Sequence, residues 1–234
     1  MCPDQKRSRQ LKKEIQQFLL QEDFKKGLSQ ICDIPARKAV NPLFSFLCSP
    51  DELLKWRAIM AMGEIVTRLA DENMESARVI MRRTMWQLND ESGGIGWGCP
   101  EAMGEIMARH ENLAAEFWCI LISYIRPDGN FLEHEVLQRG VLWGVGRLAQ
   151  ARPQLLKDSA DYLIPYLHAE DPYLRGLAVW ASKTLQNKKI NALLSALTED
   201  GAKLSIFQDG HLMQCSVGQL AQQAIDYYIN PQPF

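Results

Sequence analysis

The sequence predicts an all-α fold, a solenoid of about five to six antiparallel helix pairs, on three observations. Apolar residues recur at helical spacing through most of the chain, strand-like alternation never lasts more than a few residues, and a small residue returns at a near-constant interval. The small residues are Gly63, Gly104, Gly146, Ser182 and Gly218, separated by 41, 42, 36 and 36 positions. Each interval accommodates two helices, and a plain bundle has no reason to repeat at that period.

A polar tail is expected over residues 1–9, then N-terminal capping helices over 10–40, repeats over 41–226 and a C-terminal tail over 227–234, all in one domain spanning 1–234. Leu11, Ile15, Phe18 and Leu19 mark a first helix of roughly three turns, and Asp23 is placed to cap a second that carries Phe24, Leu28 and Ile31. Pro35 opens a third segment through Val40, Leu43, Phe44 and Leu47, in which Pro42 is expected to kink or restart the helix. Ser49-Pro50-Asp51 is a start signal for a helix over 51–69, and another covers 75–88. After the glycine-rich passage that begins at Glu91, Pro100 suits the first turn of the next helix. Further helices are expected over 113–125, 131–149, 159–167, 172–186, 190–197 and 211–229, with no N-G or D-G hairpin between alternating runs.

Bulk properties exclude several function classes. A hydrophobic content of 47% supports a packed core, so disorder is not expected. A net charge of −2 and a pI near 6.1 supply no general attraction for phosphate backbones, so nucleic acid is not an expected partner. The six cysteines are scattered without a C-x-x-C pair, as in a cytoplasmic protein with reduced thiols. The N-terminus lacks the apolar core of a signal peptide, and no run approaches the ~18 apolar residues of a membrane helix, so no membrane role is expected. His134-Glu135-Val136-Leu137-Gln138 nearly matches H-E-x-x-H but has Gln138 where the second ligand belongs; neither a metal nor a cofactor is expected. Gly94-x-Gly96-x-Gly98 also fails as a phosphate loop, since no strand precedes it and Glu101 and Glu105 bring negative charge to the following helix start.

The segment Asp171-Pro172-Tyr173-Leu174-Arg175-Gly176-Leu177-Ala178 resembles the Asp-x-x-Val-Arg-x-x-Ala signature of HEAT repeats, in particular the short HEAT-like class named after phycobilisome lyases. Trp56-Arg57-Ala58 and Gln138-Arg139-Gly140 match its Arg-Ala/Gly part, and the resemblance covers roughly residues 41–226. The second repeat departs by carrying Gly96-Trp97-Gly98 in place of the Arg region, and the last lacks the Arg. The pattern GIGWGxPEAMGE is also similar to a group of bacterial HEAT-like proteins from anaerobic sulfate reducers. The resemblance implies a right-handed superhelix whose second helices line a concave face, and an Arg that pairs with a turn Asp between repeats, which would give Arg139 and Arg175 a structural role.

Counting 100° per residue sorts the second helices into two faces. Ala58, Cys99, Val141, Leu177 and Met213, with Met62, Met103, Val145, Ala181 and Val217 and with Ile65, Ile106, Leu148, Thr184 and Leu220, are expected to form the core. Trp180 belongs with them. The opposite columns hold Trp56, Trp97, Arg139, Arg175 and His211, then Glu101 and Trp143, then Glu105 and Arg147, and they are the candidate ligand or partner groove. Tryptophans beside Arg and Glu suit an interface, while the alternative is that each Trp packs against the neighbouring repeat. The small anchor residues are expected to keep the groove floor low.

The leading functional expectation is a binding or scaffold module for a protein or peptide partner, or for a small ligand. An enzyme on the same solenoid is the alternative, either similar to a DNA glycosylase for alkylated bases or a lyase or isomerase acting on a cofactor. Glu101 and Glu105 are its only catalytic candidates. A structural subunit docking through its terminal helices is the third reading.

Overall fold

The computed structural model describes residues 3–89, 96–208 and 210–231. Gly94 of the phosphate-loop motif and the last three residues of the tail lie outside them. The chain divides into two compact units, Met1–Ala102 and Met103–Phe234.

The first unit contains α1 (Pro3–Leu19), α2 (Phe24–Cys32), α3 (Ala36–Leu47), α4 (Glu52–Glu72), α5 (Met74–Leu88) and the first turn of α6 (Cys99–Arg109). The helix starts are set by side chains that accept otherwise orphaned backbone N–H groups: Asp23 from Lys26, Asp51 from Leu54 and Asn73 from Ser76. The polar N-terminal stretch is already helical from Pro3. α3 does not restart at Pro42 but continues through it, with Val40, Leu43, Phe44, Phe46 and Leu47 all buried around it, so that packing outweighs one missing donor. Ile15, Leu19, Ile31, Leu43, Leu47, Ile59, Met62 and Met81 fill the core of this unit. Arg57, from the matched Arg-Ala pair, donates to the Leu19 and Gln21 carbonyls at 2.8 and 2.7 Å, tying α4 to the end of α1.

The second unit continues from α6 through α7 (Glu111–Ser123), α8 (Glu135–Ala151), α9 (Pro153–Leu156), a 3-10 segment (Lys157–Leu163), α10 (Ile164–Leu167), α11 (Pro172–Ser182) and α12 (Lys188–Leu197). An antiparallel hairpin, β1 (Lys203–Gln208) and β2 (His211–Ser216), then precedes α13 (Val217–Ile229). His134 of the near-miss zinc motif is the N-cap of α8, accepting from the Val136 N–H. Ser216 and Gln219 form a reciprocal capping box that starts α13.

Two expectations are corrected here. The segment expected as a helix over 159–167 is mostly 3-10, and the helix expected over 211–229 begins only at Val217. Residues 211–216 are instead a strand, paired with another that the sequence reading missed. The signal was present: Asp209-Gly210 stands between KLSIFQ and HLMQCS, and Gly210 takes φ +85°, which only glycine adopts at little cost.

The three core columns are buried from Ala58 to Leu220, with the single exception of Met213, which lies on β2 and is 48% exposed. Two of the anchor glycines are sites of close packing. A Cβ at Gly104 would lie 2.3 Å from the Gly144 Cα, and one at Gly146 would lie 2.3 Å from the Trp180 ring. The first lets α6 touch the backbone of α8, and the second makes room on α8 for the Trp180 ring.

Candidate binding surface

In the first unit, Glu52, Trp56, Met60 and Glu64 follow one another at four-residue spacing along α4, which places them on one stripe. Trp56 is only 7% exposed, so it is a core residue with a polar edge rather than a displayed ring. Its Nε1 donates to Glu52 Oε2 at 3.1 Å. The Lys55 ammonium stands 4.9 Å from the Trp56 ring centroid and 3.3 Å from Glu52 Oε1.

The entrance to α6 is built by close packing. A Cβ at Gly96 would meet the Gln87 carbonyl at 2.8 Å; Gly98, at φ +74°, passes so close to α3 that a Cβ would meet the Leu47 carbonyl at 2.5 Å. The two glycines are therefore sites of close packing within the first unit. Between them Trp97 is half-buried. Cys99 is buried, and its thiol is pushed up to about 12 by desolvation, with the Glu101 carboxylate adding to the effect. It is an inert thiol at neutral pH.

Glu101 is the unusual group. Its side chain is buried, and among the described residues its Oε2 has no hydrogen-bond partner. Burial raises its pKa above the ordinary carboxylate value; the Lys55 charge pulls the other way, and Glu52 adds to the rise. Glu52, Lys55, Trp56 and Glu101 thus share one electrostatic neighbourhood, of which the sequence reading had named only Trp56 and Glu101.

The second unit treats its members of the same columns differently. Glu105 is fully buried, with Oε1 accepting from Arg109 Nε at 2.5 Å and Oε2 accepting from Arg147 Nε at 2.7 Å. A buried carboxylate with each oxygen held by a guanidinium group is a structural ion-pair cluster, and it engages the Nε groups of Arg109 and Arg147. Arg109 was legible as the i+4 partner of Glu105, but that pairing was not read. Trp143 is 3% exposed and lies beneath the hairpin. Its Nε1 donates to the Phe207 carbonyl at 2.9 Å, and its ring stacks on Trp180 with centroids 6.0 Å apart. The missed hairpin therefore covers a tryptophan expected to face a groove.

Arg139 donates to Asp171 at 2.8 Å and lies over the Tyr173 ring, while Arg175 donates to Asp200 at 2.9 Å and to the Ala169 and Glu170 carbonyls at 2.7 Å. Asp171 also caps α11 through Tyr173, and Asp200 accepts from the Ala202 N–H. These pair an Arg with an Asp in a later turn of the chain, the kind of structural role that the HEAT resemblance implied. His211 lies on β2, exposed, away from any helix stripe. Among the described residues no group of three or more His, Cys, Asp or Glu is arranged to hold a metal ion, and no helix is long and apolar enough to cross a membrane.

Helix pairs joined by short turns, glycine-mediated helix contacts and an Arg-to-turn-Asp ladder define an all-α protein of the helical-repeat solenoid class. Comparisons agree at the level of fold. The chain is similar to an engineered protein of known structure (TM-score 0.52, 14% identity, covering 94% of this chain and 96% of that one). It is also similar to a designed armadillo repeat protein in complex with the peptide (KR)4 (TM-score 0.50, 16% identity, covering 92% and 98%). In sequence it is 32% identical over 108 residues to an uncharacterised protein of Archaeoglobus fulgidus, a match covering 46% of this chain and 52% of that protein. The chain thus spans about half the length of that relative. No family model matches.

Proposed function

We propose that the chain is a HEAT-like binding and scaffold module of the short-repeat class, and that its first unit receives a basic peptide segment beside Trp97 and Glu101. The observation that carries this reading is the buried Glu101 carboxyl with an unused acceptor oxygen. A buried polar atom without a partner is costly, and the group that relieves the cost best is a donor carrying positive charge. Half-buried Trp97 adds an aromatic surface suited to a guanidinium or a lysine stem, and Glu52 and Glu64 extend the acidic stripe along α4. The armadillo-type neighbour was solved with a Lys-Arg peptide, which makes that peptide a suitable first probe. The Asp-x-x-Leu-Arg-x-x-Ala match at Asp171 to Ala178 supports the HEAT-like assignment.

The test is titration of (Lys-Arg)4 into the full chain at low salt, followed by tryptophan fluorescence and calorimetry. Saturable binding is expected, weakened about tenfold or more by Glu101→Gln, the cost of one charge-assisted hydrogen bond. Trp97→Ala should weaken it as well. Because the cationic ligand favours ionised Glu101, affinity should rise with pH through the raised pKa of that group in the wild type and stay flat in Glu101→Gln. Absence of binding, or binding indifferent to both substitutions, sinks the reading.

A further inference from the structure

The hairpin has two edges, and among the described residues the backbone of only the β1 edge is engaged by the rest of the chain at its middle. On β1, the Phe207 carbonyl accepts from Trp143 Nε1 and the Ser205 N–H donates to the Tyr173 hydroxyl at 3.5 Å, so residues 205 and 207 aim their backbone groups away from β2. In an antiparallel ladder the residues opposite such positions do the same on the other side. Those residues are Gln214, opposite Ser205, and Leu212, opposite Phe207. Ser216 belongs to the same set, and its N–H is already taken by the Gln219 side chain. Among the described residues, the backbone groups of Leu212 and Gln214 have no partner.

Edge strands in soluble proteins are ordinarily guarded by a lysine, a proline, a bulge or an inward charge. β2 has none of these: HLMQCS carries no Lys, Arg, Asp, Glu or Pro, and Leu212 and Met213 are 40% and 48% exposed. The positions of the outward backbone groups also allow β2 to pair with a copy of itself about a two-fold axis. With Met213 on the axis, Leu212 falls opposite Gln214 of the partner subunit, the two positions whose N–H and C=O groups point outward. His211 falls opposite a cysteine, so no like charges meet.

We infer that β2 is a self-association edge, on which a second copy of this chain adds its own β2 antiparallel to form a continuous four-stranded sheet. Each Leu212 exchanges both backbone hydrogen bonds with Gln214 of the partner subunit, and the two Met213 side chains pack against each other at the axis, where the closer cross-strand spacing applies. The absence of charge on β2 favours a neutral copy of itself over a basic segment of the kind proposed for the first unit. The contact is short compared with a standard interface of about 1,600 Å², so the dimer is reversible and depends on concentration.

Sedimentation of the full chain over a wide concentration range tests this, with Met213→Glu and Met213→Lys as paired variants. Both replace a half-exposed side chain, so the fold is retained, as circular dichroism will verify. Wild type should move from 26.6 kDa toward twice that mass as concentration rises, and each variant alone should stay monomeric because like charges meet on the axis. An equimolar mixture of the two should regain the dimer. Rescue by mixing is specific to self-pairing, since a different partner chain gives no reason for it. A wild type that stays monomeric throughout, a dimer that persists in both variants, or a mixture that remains monomeric overturns the inference.

Discussion

Glu101 and Glu105 stand one turn apart on α6, yet the two units of the chain use them in opposite ways. In the second unit Glu105 gives each oxygen to an arginine, and Trp143 of the same face gives its N–H to the hairpin. In the first unit Trp56 gives its N–H to Glu52 of the same helix, and among the described residues Glu101 is buried with an oxygen left over. The difference shows that two acids one turn apart on the same face of one repeat helix need not share a role. What packs above each position decides whether an acid becomes part of the frame or remains available.

The largest test of this contrast is Trp143→Ala. It removes a buried ring, its hydrogen bond to Phe207 and its stacking on Trp180, and should lower stability by about 3–5 kcal/mol in urea unfolding. A loss near zero would mean that the hairpin does not close the second unit as described. Gly104→Ala comes next, because its Cβ would meet the backbone of Gly144, which has no side chain to move aside. A cost of about 3 kcal/mol is expected, with the thermal midpoint as readout. Glu105→Gln should cost about 2 kcal/mol, by loss of charge-assisted bonds to Arg109 and Arg147, both of which retain some contact with water.

Glu101→Gln should change stability least, by less than about 1 kcal/mol at neutral pH, and its signature is in the pH profile. The folded-state pKa of Glu101 is raised, so the folded form holds its proton more tightly than the unfolded chain does. That contribution is complete below the ordinary carboxylate value of 4.5 and is lost as pH rises through the raised folded value. Wild type should therefore lose stability relative to Glu101→Gln over that rise in pH. Parallel profiles would show that Glu101 is not the desolvated group described.

The helical pattern was legible because periodicity and caps are local. Asp23 and Asp51 occur just before apolar runs at helical spacing, and both cap helices in the structure. The Arg-Asp ladder was legible in part, since Arg139 and Arg175 stand in the repeat signature; Asp200, in the turn before the hairpin, carried no comparable signal. The hairpin itself was missed despite Asp209-Gly210. With a repeat period already in hand, Gly218 invited a full-length helix before it, whereas β1 buries Leu204, Ile206 and Phe207 and draws β2 into a ladder.

By itself the sequence determined most of the helix-forming segments, the repeat period and, apart from Met213, the core columns from Ala58 to Leu220, because these depend on the spacing of apolar and small residues along the chain. Tertiary structure alone decided which residues of the opposite columns are engaged. Whether Trp143 is covered, Glu105 is clamped or Glu101 Oε2 is left unpaired depends on what another segment places against it. A helical wheel specifies direction from an axis, and only the packed chain specifies what stands there.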